Sequence, residues 1–87
     1  MSIPPNHAER RARLGTFFRE HREKAGLMQV ELAEAVGLRW ATHISAIECG
    51  RSLVAEERLP KFLEVLGISP AQYREFCQKL DAELPED

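Results

Sequence analysis

The residues of this chain best suited to chemistry lie in a short segment, residues 41–49, which has one apolar face and one hydrogen-bonding face. Ile44 and Ile47 are spaced as neighbours on one side of a helix. The other side carries small or hydrogen-bonding groups, namely Ala41, Thr42, His43 and Ala46. Because this side has no long acidic side chain, it can approach the edges of nucleic-acid bases and form hydrogen bonds with them.

The preceding residues predict the element that positions this segment. Residues 29–36 carry an apolar stripe that ends at Val36, and Gly37 follows at once, as glycine does where a helix ends in the left-handed region. Leu38 is then expected to point into the core. Two short helices joined by such a turn can lay the first across a DNA backbone and the second in a major groove.

Other chemistries find little support in the sequence. The two cysteines, Cys49 and Cys77, are far apart, and the three histidines are scattered, so we expect no metal, no cofactor and no disulfide framework. An enzyme is not expected either, because the chain has no glycine-rich phosphate loop and no supported Ser/His/Asp or Cys/His arrangement. Cys49 is interpreted as a passive small residue in preference to a redox switch.

A set of spaced residues extends this pattern over residues 14–76. Its marks are Gly26-Leu27, Gln29, Glu31-Leu32-Ala33, Val36-Gly37-Leu38, Ile44-Ser45, Ile47-Glu48 and Gly50-Arg51. With these marks the segment resembles the helix-turn-helix of the Cro/phage-repressor (XRE-like) superfamily of bacterial transcription regulators. The resemblance implies an all-α fold, a five-helix lambda-repressor-like DNA-binding domain, with double-stranded DNA as the partner.

The resemblance also implies roles for individual residues. Gln29 would hold a phosphate from the start of the second helix, and Arg51 would contact the DNA backbone. Thr42, His43 and Ala46 would face bases, although His43 could instead be solvated. The full predicted DNA-binding set is Gln29, Arg39, Trp40, Ala41, Thr42, His43, Ala46 and Arg51.

Several positions bear on how this motif is held. The resemblance gives Glu48 a structural role, with Arg22 as its expected partner. Met28 stands where Ser or Thr normally caps the second helix, a loss of about 1 kcal/mol, while Glu31 keeps the other half of the capping box. The turn that contains Trp40 is one residue longer than the commonest form, and Trp40 either plugs this turn or stacks on sugar-phosphate.

The remaining sequence predicts helices throughout one domain, residues 7–84. Ser69-Pro70 with Gln72 is typical of a helix start, combining a cap, a proline at the first position and a glutamine at the third. Residues 1–6 are expected to form a disordered lead and residues 85–87 an acidic tail. The predicted helices cover about residues 7–25, 29–36, 41–49, 56–66 and 69–84.

Charge is unevenly distributed along the chain, whose formal net charge is −2. Residues 1–24 carry six basic and three acidic side chains, whereas residues 52–87 carry four basic and eight acidic ones. The Arg10-Arg11-Arg13 run either reaches a phosphate or is merely solvated. Non-specific affinity for DNA should be low, because few cations can displace counterions. The sequence has neither a membrane-length apolar run nor a secretory signal, so a cytoplasmic bacterial or phage protein is expected.

The fifth predicted helix bears on assembly. Its apolar stripe is larger than the core of such a small domain needs, so we expect a homodimer through the fourth and fifth helices. A two-fold dimer would place two recognition helices about 34 Å apart and select a pseudo-palindromic operator. The residues expected at this interface are Tyr73, Phe76, Cys77 and Leu80.

Three functions remain open at this point. The first is a sequence-specific transcriptional regulator, a repressor or autoregulator. The second is the antitoxin of a toxin–antitoxin pair, with a toxin as an additional partner. The third is a protein-interaction adaptor that kept the fold without binding DNA, an alternative favoured by the negative net charge.

Overall fold

A computed structural model describes residues 5–84, and over these residues the chain is all-α. No strand occurs in this range, and a turn of 3-10 helix, Glu56–Arg58, precedes the fourth α-helix. The helices are α1 Pro5–Lys24, α2 Gln29–Ala35, α3 Ala41–Glu48, α4 Leu59–Leu66 and α5 Pro70–Glu83. The five-helix fold expected from the sequence is confirmed.

Two helix boundaries differ from the expectation. α1 begins at Pro5, so residues 5 and 6 belong to a helix and not to a disordered lead. Proline fits the first turn because the N–H that it lacks would have no partner there. The fourth helix, expected from residue 56, begins at Leu59, since Pro60 cannot donate to the carbonyl four residues earlier. Residues 1–4 of the lead and the predicted tail, 85–87, lie outside the described residues.

One hydrophobic core holds the helices together, and α2 and α3 both turn their apolar faces into it. Leu32, Ile44 and Phe62 are each 1 % exposed, and Leu38 packs against this core from the turn. The buried cluster comprises Phe18, Leu32, Ala33, Val36, Ile44, Ile47, Phe62, Leu63, Leu66 and Ile68. The apolar faces expected for α2 and α3 are therefore the buried ones.

A glycine inside α1 sets how closely α1 approaches α3. A Cβ added at Gly15 would overlap the carbonyl oxygens of Ile47 and Glu48. These are backbone atoms at the end of α3, so they cannot move aside as a flexible side chain would. Gly15 is therefore required for the approach of the two helices, a role that the sequence alone did not reveal.

α5 packs on α1 through aromatic side chains. Phe76 stacks on Phe17 with ring centroids 4.1 Å apart, and Tyr73 stacks on Phe18 at 6.1 Å. Burial is the main cause that raises the pKa of Tyr73 to about 12. Leu80 is only 2 % exposed, so the apolar stripe of α5 is largely used within the chain.

This packing corrects part of the expected dimer interface. Leu80 has almost no surface left for a second chain, which contradicts its assignment to the interface. Tyr73, Phe76 and Cys77 are half-buried, and most of the exposed residues of α5 are polar or charged. The two adjacent phenylalanines of α1, Phe17 and Phe18, cover much of the apolar stripe of α5.

The basic run near the start of the chain is also used internally, so neither of its two expected roles describes it. Arg10 donates to Asp81 at 2.9 Å and Arg13 to Glu83 at 2.9 Å, which links α1 to the end of α5. Arg11 donates to the Gly50 carbonyl at 3.1 Å. The exposed pairs add little stability, but they neutralise much of the positive charge of this run.

Replacing Gly15 by alanine tests the close approach of α1 and α3. Alanine is the better helix former by about 1 kcal/mol, yet we expect Gly15→Ala to lower the free energy of unfolding by about 2 kcal/mol, because the overlap forces the helices apart. Urea unfolding followed by circular dichroism measures the change.

Gly26 provides the matched control for this substitution. An added Cβ there meets nothing within 4 Å, although φ is +74°. Gly26→Ala should therefore cost only the left-handed backbone penalty of about 1 kcal/mol. A Gly15→Ala protein as stable as the original chain would refute the proposed role of the close approach.

Candidate nucleic-acid interface

The turn that joins α2 to α3 is held from inside the protein. Gly37 has φ +78°, the left-handed conformation expected after a helix, and the Leu38 N–H donates to the Ala33 carbonyl at 2.8 Å. Arg58 reaches across from the 3-10 turn and donates to the carbonyl oxygens of Val36 at 2.9 Å and Gly37 at 3.2 Å. The backbone between the two helices is thereby fixed on its inner side.

Glu48 connects three helices at the end of α3. Glu48 is only 6 % exposed. Its carboxylate accepts hydrogen bonds from Arg22 Nε at 2.6 Å and from Arg22 Nη2 at 3.1 Å. Arg22 also donates to the Leu27 carbonyl at 2.7 Å. The hydrogen bond to this carboxylate raises the pKa of Arg22, which stays charged. The expected Arg22–Glu48 pair is confirmed.

Gln29 belongs to the same network. Its amide nitrogen Nε2 donates to Glu48 Oε1 at 2.9 Å, and the side chain is half-buried. We call the three residues Arg22, Gln29 and Glu48 the carboxylate hub. The hub joins α1, the first residue of α2 and the last residue of α3, so it sets how the two helices of the motif lie relative to each other.

The start of α2 has the half cap expected from its sequence. Met28 makes no capping side-chain hydrogen bond, whereas Glu31 Oε1 accepts from the Met28 N–H at 2.7 Å. Met28 and Val30 are 61 % and 55 % exposed. Because this helix has only seven residues and half a cap, its position depends on the core and on the carboxylate hub.

The outer face of α3 carries the side chains predicted to read bases. Thr42 and His43 are exposed, and Ala41 and Ala46 are partly exposed beside them. Ile44 and Ile47 are buried on the opposite face. The structure therefore brings the hydrogen-bonding side chains to one accessible surface of a helix whose preceding turn and C-terminal end are both held by other parts of the chain.

The end of α3 is clamped against α1. Gly50 has φ +78°, and a Cβ there would lie 2.8 Å from the Ala12 Cα. The Arg51 N–H donates to the Ala46 carbonyl at 2.9 Å, and the Arg11 bond to Gly50 closes the same turn. Arg51 is exposed immediately after this turn, so its charged side chain starts from a backbone position that is held by hydrogen bonds.

Two further predicted contact residues lie in the turn before α3. Arg39 and Trp40 are both exposed, and the guanidinium carbon of Arg39 is 5.5 Å from the centroid of a Trp40 ring. Trp40 therefore does not plug the turn, which Leu38 does instead. Within residues 5–84, neither Arg39 nor Arg51 is part of an ion pair.

Sequence reasoning missed Arg11 and Arg58, the two arginines that fix the ends of α3 and α2. Both arginines are far along the chain from the helix that they support. Arg11 is 39 residues from Gly50, and Arg58 is 22 residues from Val36. A basic residue that contacts helix carbonyls through space has no local sequence signal. Only the tertiary structure identifies it.

Removing the hub carboxylate should destabilise the whole fold. Glu48→Ala leaves the Arg22 guanidinium largely buried without its anion, and such uncompensated charges cost about 3–5 kcal/mol. Denaturant unfolding of Glu48→Ala, Arg22→Ala and the double variant measures the coupling. We expect the double variant to lose clearly less than both single losses combined, since it buries no unpaired charge.

Glu48→Gln is the conservative control for this series. It keeps an oxygen that can accept one of the hydrogen bonds, so it should be more stable than Glu48→Ala and remain measurable if the alanine variant does not fold. If the losses in free energy of unfolding are strictly additive in the double variant, Arg22 and Glu48 are not coupled and the proposed role of the carboxylate hub is contradicted.

The described residues contain no group of three or more metal-binding side chains. None of the helices in residues 5–84 is long and apolar enough to cross a membrane.

Comparison with known proteins places this geometry in a family. A search of curated proteins gives no match. The family model described as "Helix-turn-helix domain" matches residues 13–76, a range that begins within α1 and ends within α5 and includes the carboxylate hub and all of α3. Because this match covers most of the chain, the protein belongs to the helix-turn-helix domain family, whose members are typically DNA-binding regulators and not enzymes.

Proposed function

We propose that this protein is a sequence-specific DNA-binding transcriptional regulator of the bacterial or phage cytoplasm. Residues 41–49 act as the recognition helix in the major groove. The observation that carries the proposal is the accessible face of α3, where Thr42 and His43 stand beside small side chains on a helix whose C-terminal end is held by contacts from α1 and α2. The helix-turn-helix family match supports the same conclusion.

The proposed contacts divide into reading and positioning. Thr42 and His43 offer hydrogen bonds to base edges, and the small Ala46 lets the helix approach them. Arg51 binds a phosphate beyond the end of α3, and Gln29 contacts the backbone with the polar atoms that Glu48 does not use. Binding represses by covering a promoter or operator, including that of the protein's own gene.

Two copies are proposed to act together on a pseudo-palindromic operator. A two-fold pair places its recognition helices about 34 Å apart, one turn of DNA. Because α5 uses most of its apolar stripe on α1, the contact through α4 and α5 is small. We therefore propose that the free protein is a monomer and that the two copies associate when they bind the operator.

An adaptor without DNA binding is the second candidate, and the distribution of charge favours it. Arg10, Arg11 and Arg13 are all bonded within the chain, and the net charge is −2. A protein of this kind has few cations with which to displace counterions from DNA. A measurement of DNA binding separates the two functions.

Selection of duplexes from a random library, followed by binding titrations at several salt concentrations, tests the proposed function. We expect an enriched, pseudo-palindromic sequence that binds far more tightly than random duplex of equal length. No enrichment, with equally feeble binding of both duplexes, would contradict a regulator and favour the adaptor or a toxin-dependent antitoxin.

The recognition face can be tested by a double substitution. Thr42→Ala with His43→Ala should reduce the preference for the selected duplex by at least about tenfold, since each lost base contact removes discrimination. Fluorescence anisotropy with selected and random duplexes measures it. An unchanged preference would show that α3 does not read the bases.

Arg51→Ala should behave differently. Loss of a phosphate contact weakens binding to both duplexes about equally and lowers the slope of log affinity against log salt by about one. Arg19→Ala, on the exposed side of α1, is the matched arginine control and should change neither quantity. A change in preference without a change in slope would contradict the phosphate role of Arg51.

A further inference from the structure

An arginine and a tryptophan stand side by side immediately before α3. The Arg39 guanidinium lies 5.5 Å from the centroid of the Trp40 ring, within the distance of a cation–π contact. Trp40 is 59 % exposed, a large apolar surface for a side chain beside the proposed recognition helix. Neither side chain makes a hydrogen bond or an ion pair within residues 5–84.

The backbone that carries this pair is rigid. Leu38 packs into the core directly before it, and Arg58 holds the carbonyls of Val36 and Gly37 from the inside. Trp40 has extended backbone angles, and its carbonyl accepts from the His43 N–H at 3.1 Å in the first turn of α3. The pair is therefore presented outward at a fixed place next to the base-reading face.

We propose that Arg39 and Trp40 form one phosphodiester-binding unit, in which Arg39 binds a phosphate and Trp40 is the positioning residue that orients it. The proposal rests on the proposed function and adds separate roles for the two residues of the turn before α3. The guanidinium carbon lies over the ring, and the ring accepts no N–H hydrogen bond in the plane of the guanidinium, so the N–H groups remain available for the oxygens of a phosphate. The indole surface would be covered by the adjoining deoxyribose.

A phosphodiester fits this unit better than a base edge. Arg39 lies before the first residue of α3, outside the segment whose side chains face a groove. A guanidinium held over an aromatic ring by a cation–π contact loses less rotamer freedom when it binds an anion than a mobile one does, so the ring contributes to affinity through the arginine. The ring by itself carries no charge and cannot change the number of counterions that are released.

This difference gives a test that a merely structural role of Trp40 would not pass. The selected duplex is titrated at several salt concentrations with Arg39→Ala, Trp40→Ala, the double variant and Trp40→Phe. We expect Arg39→Ala and Trp40→Ala each to weaken binding about five- to tenfold and each to lower the salt slope, by about one for the arginine. The double variant should be no more than about twofold weaker than Arg39→Ala.

Trp40→Phe keeps an aromatic face and should retain the original salt slope. Arg19→Ala again serves as the control for loss of a remote arginine. If Trp40→Ala weakens binding but leaves the salt slope unchanged, or if the two single losses add in the double variant, the unit is refuted while the regulator function stands. If the original chain binds no duplex, the regulator function fails and the unit with it.

Intrinsic fluorescence supplies an independent readout, because Trp40 is the only tryptophan in the chain. Addition of duplex DNA should change its emission in the original protein, and the change should be weaker in Arg39→Ala. An emission that responds to protein concentration but not to DNA would place a second protein on this surface and overturn the proposal.

Discussion

Three helices of this protein meet at one buried carboxylate, that of Glu48, and the geometry of the motif depends on it. The bidentate bond from Arg22 fastens α1 to the end of α3, and the bond from Gln29 fastens the start of α2 to the same group. α2 has seven residues and α3 eight, too few for either to be stable alone. Their relative position must therefore come from tertiary contacts, and the hub supplies the polar part of them.

The internal use of arginine has a consequence for DNA affinity. Three arginines contact backbone carbonyls around the motif, namely Arg11, Arg22 and Arg58. Such contacts place cations at helix C-termini and loop carbonyls, where they are favourable, and they hold the reading face in place. The same cations are then less able to release counterions, so affinity must depend on the few exposed cations near α3 and on base contacts.

Sequence reasoning identified the motif because its signals are local. Glycines after α2 and α3, the apolar face of each helix and the Arg22–Glu48 pair follow from residue type, spacing or family resemblance, and the structure agrees with them. Contacts across the fold were not predictable in this way. The role of Gly15 cannot be predicted without knowing which backbone it meets. From sequence alone the apolar stripe of α5 predicts contact with a second copy, because α1, which covers it, lies more than fifty residues away in sequence.

Chemical-shift mapping of the isotope-labelled protein with the selected duplex tests the central claim most directly, because it shows which surface meets DNA. The account predicts that backbone amide signals of residues 39–51 and of Gln29 shift on addition of the duplex. Signals of Arg19 and Glu20, on the exposed side of α1, should stay in place. Shifts confined to α5, or shifts that are the same with a random duplex throughout α3, would contradict sequence reading by this helix.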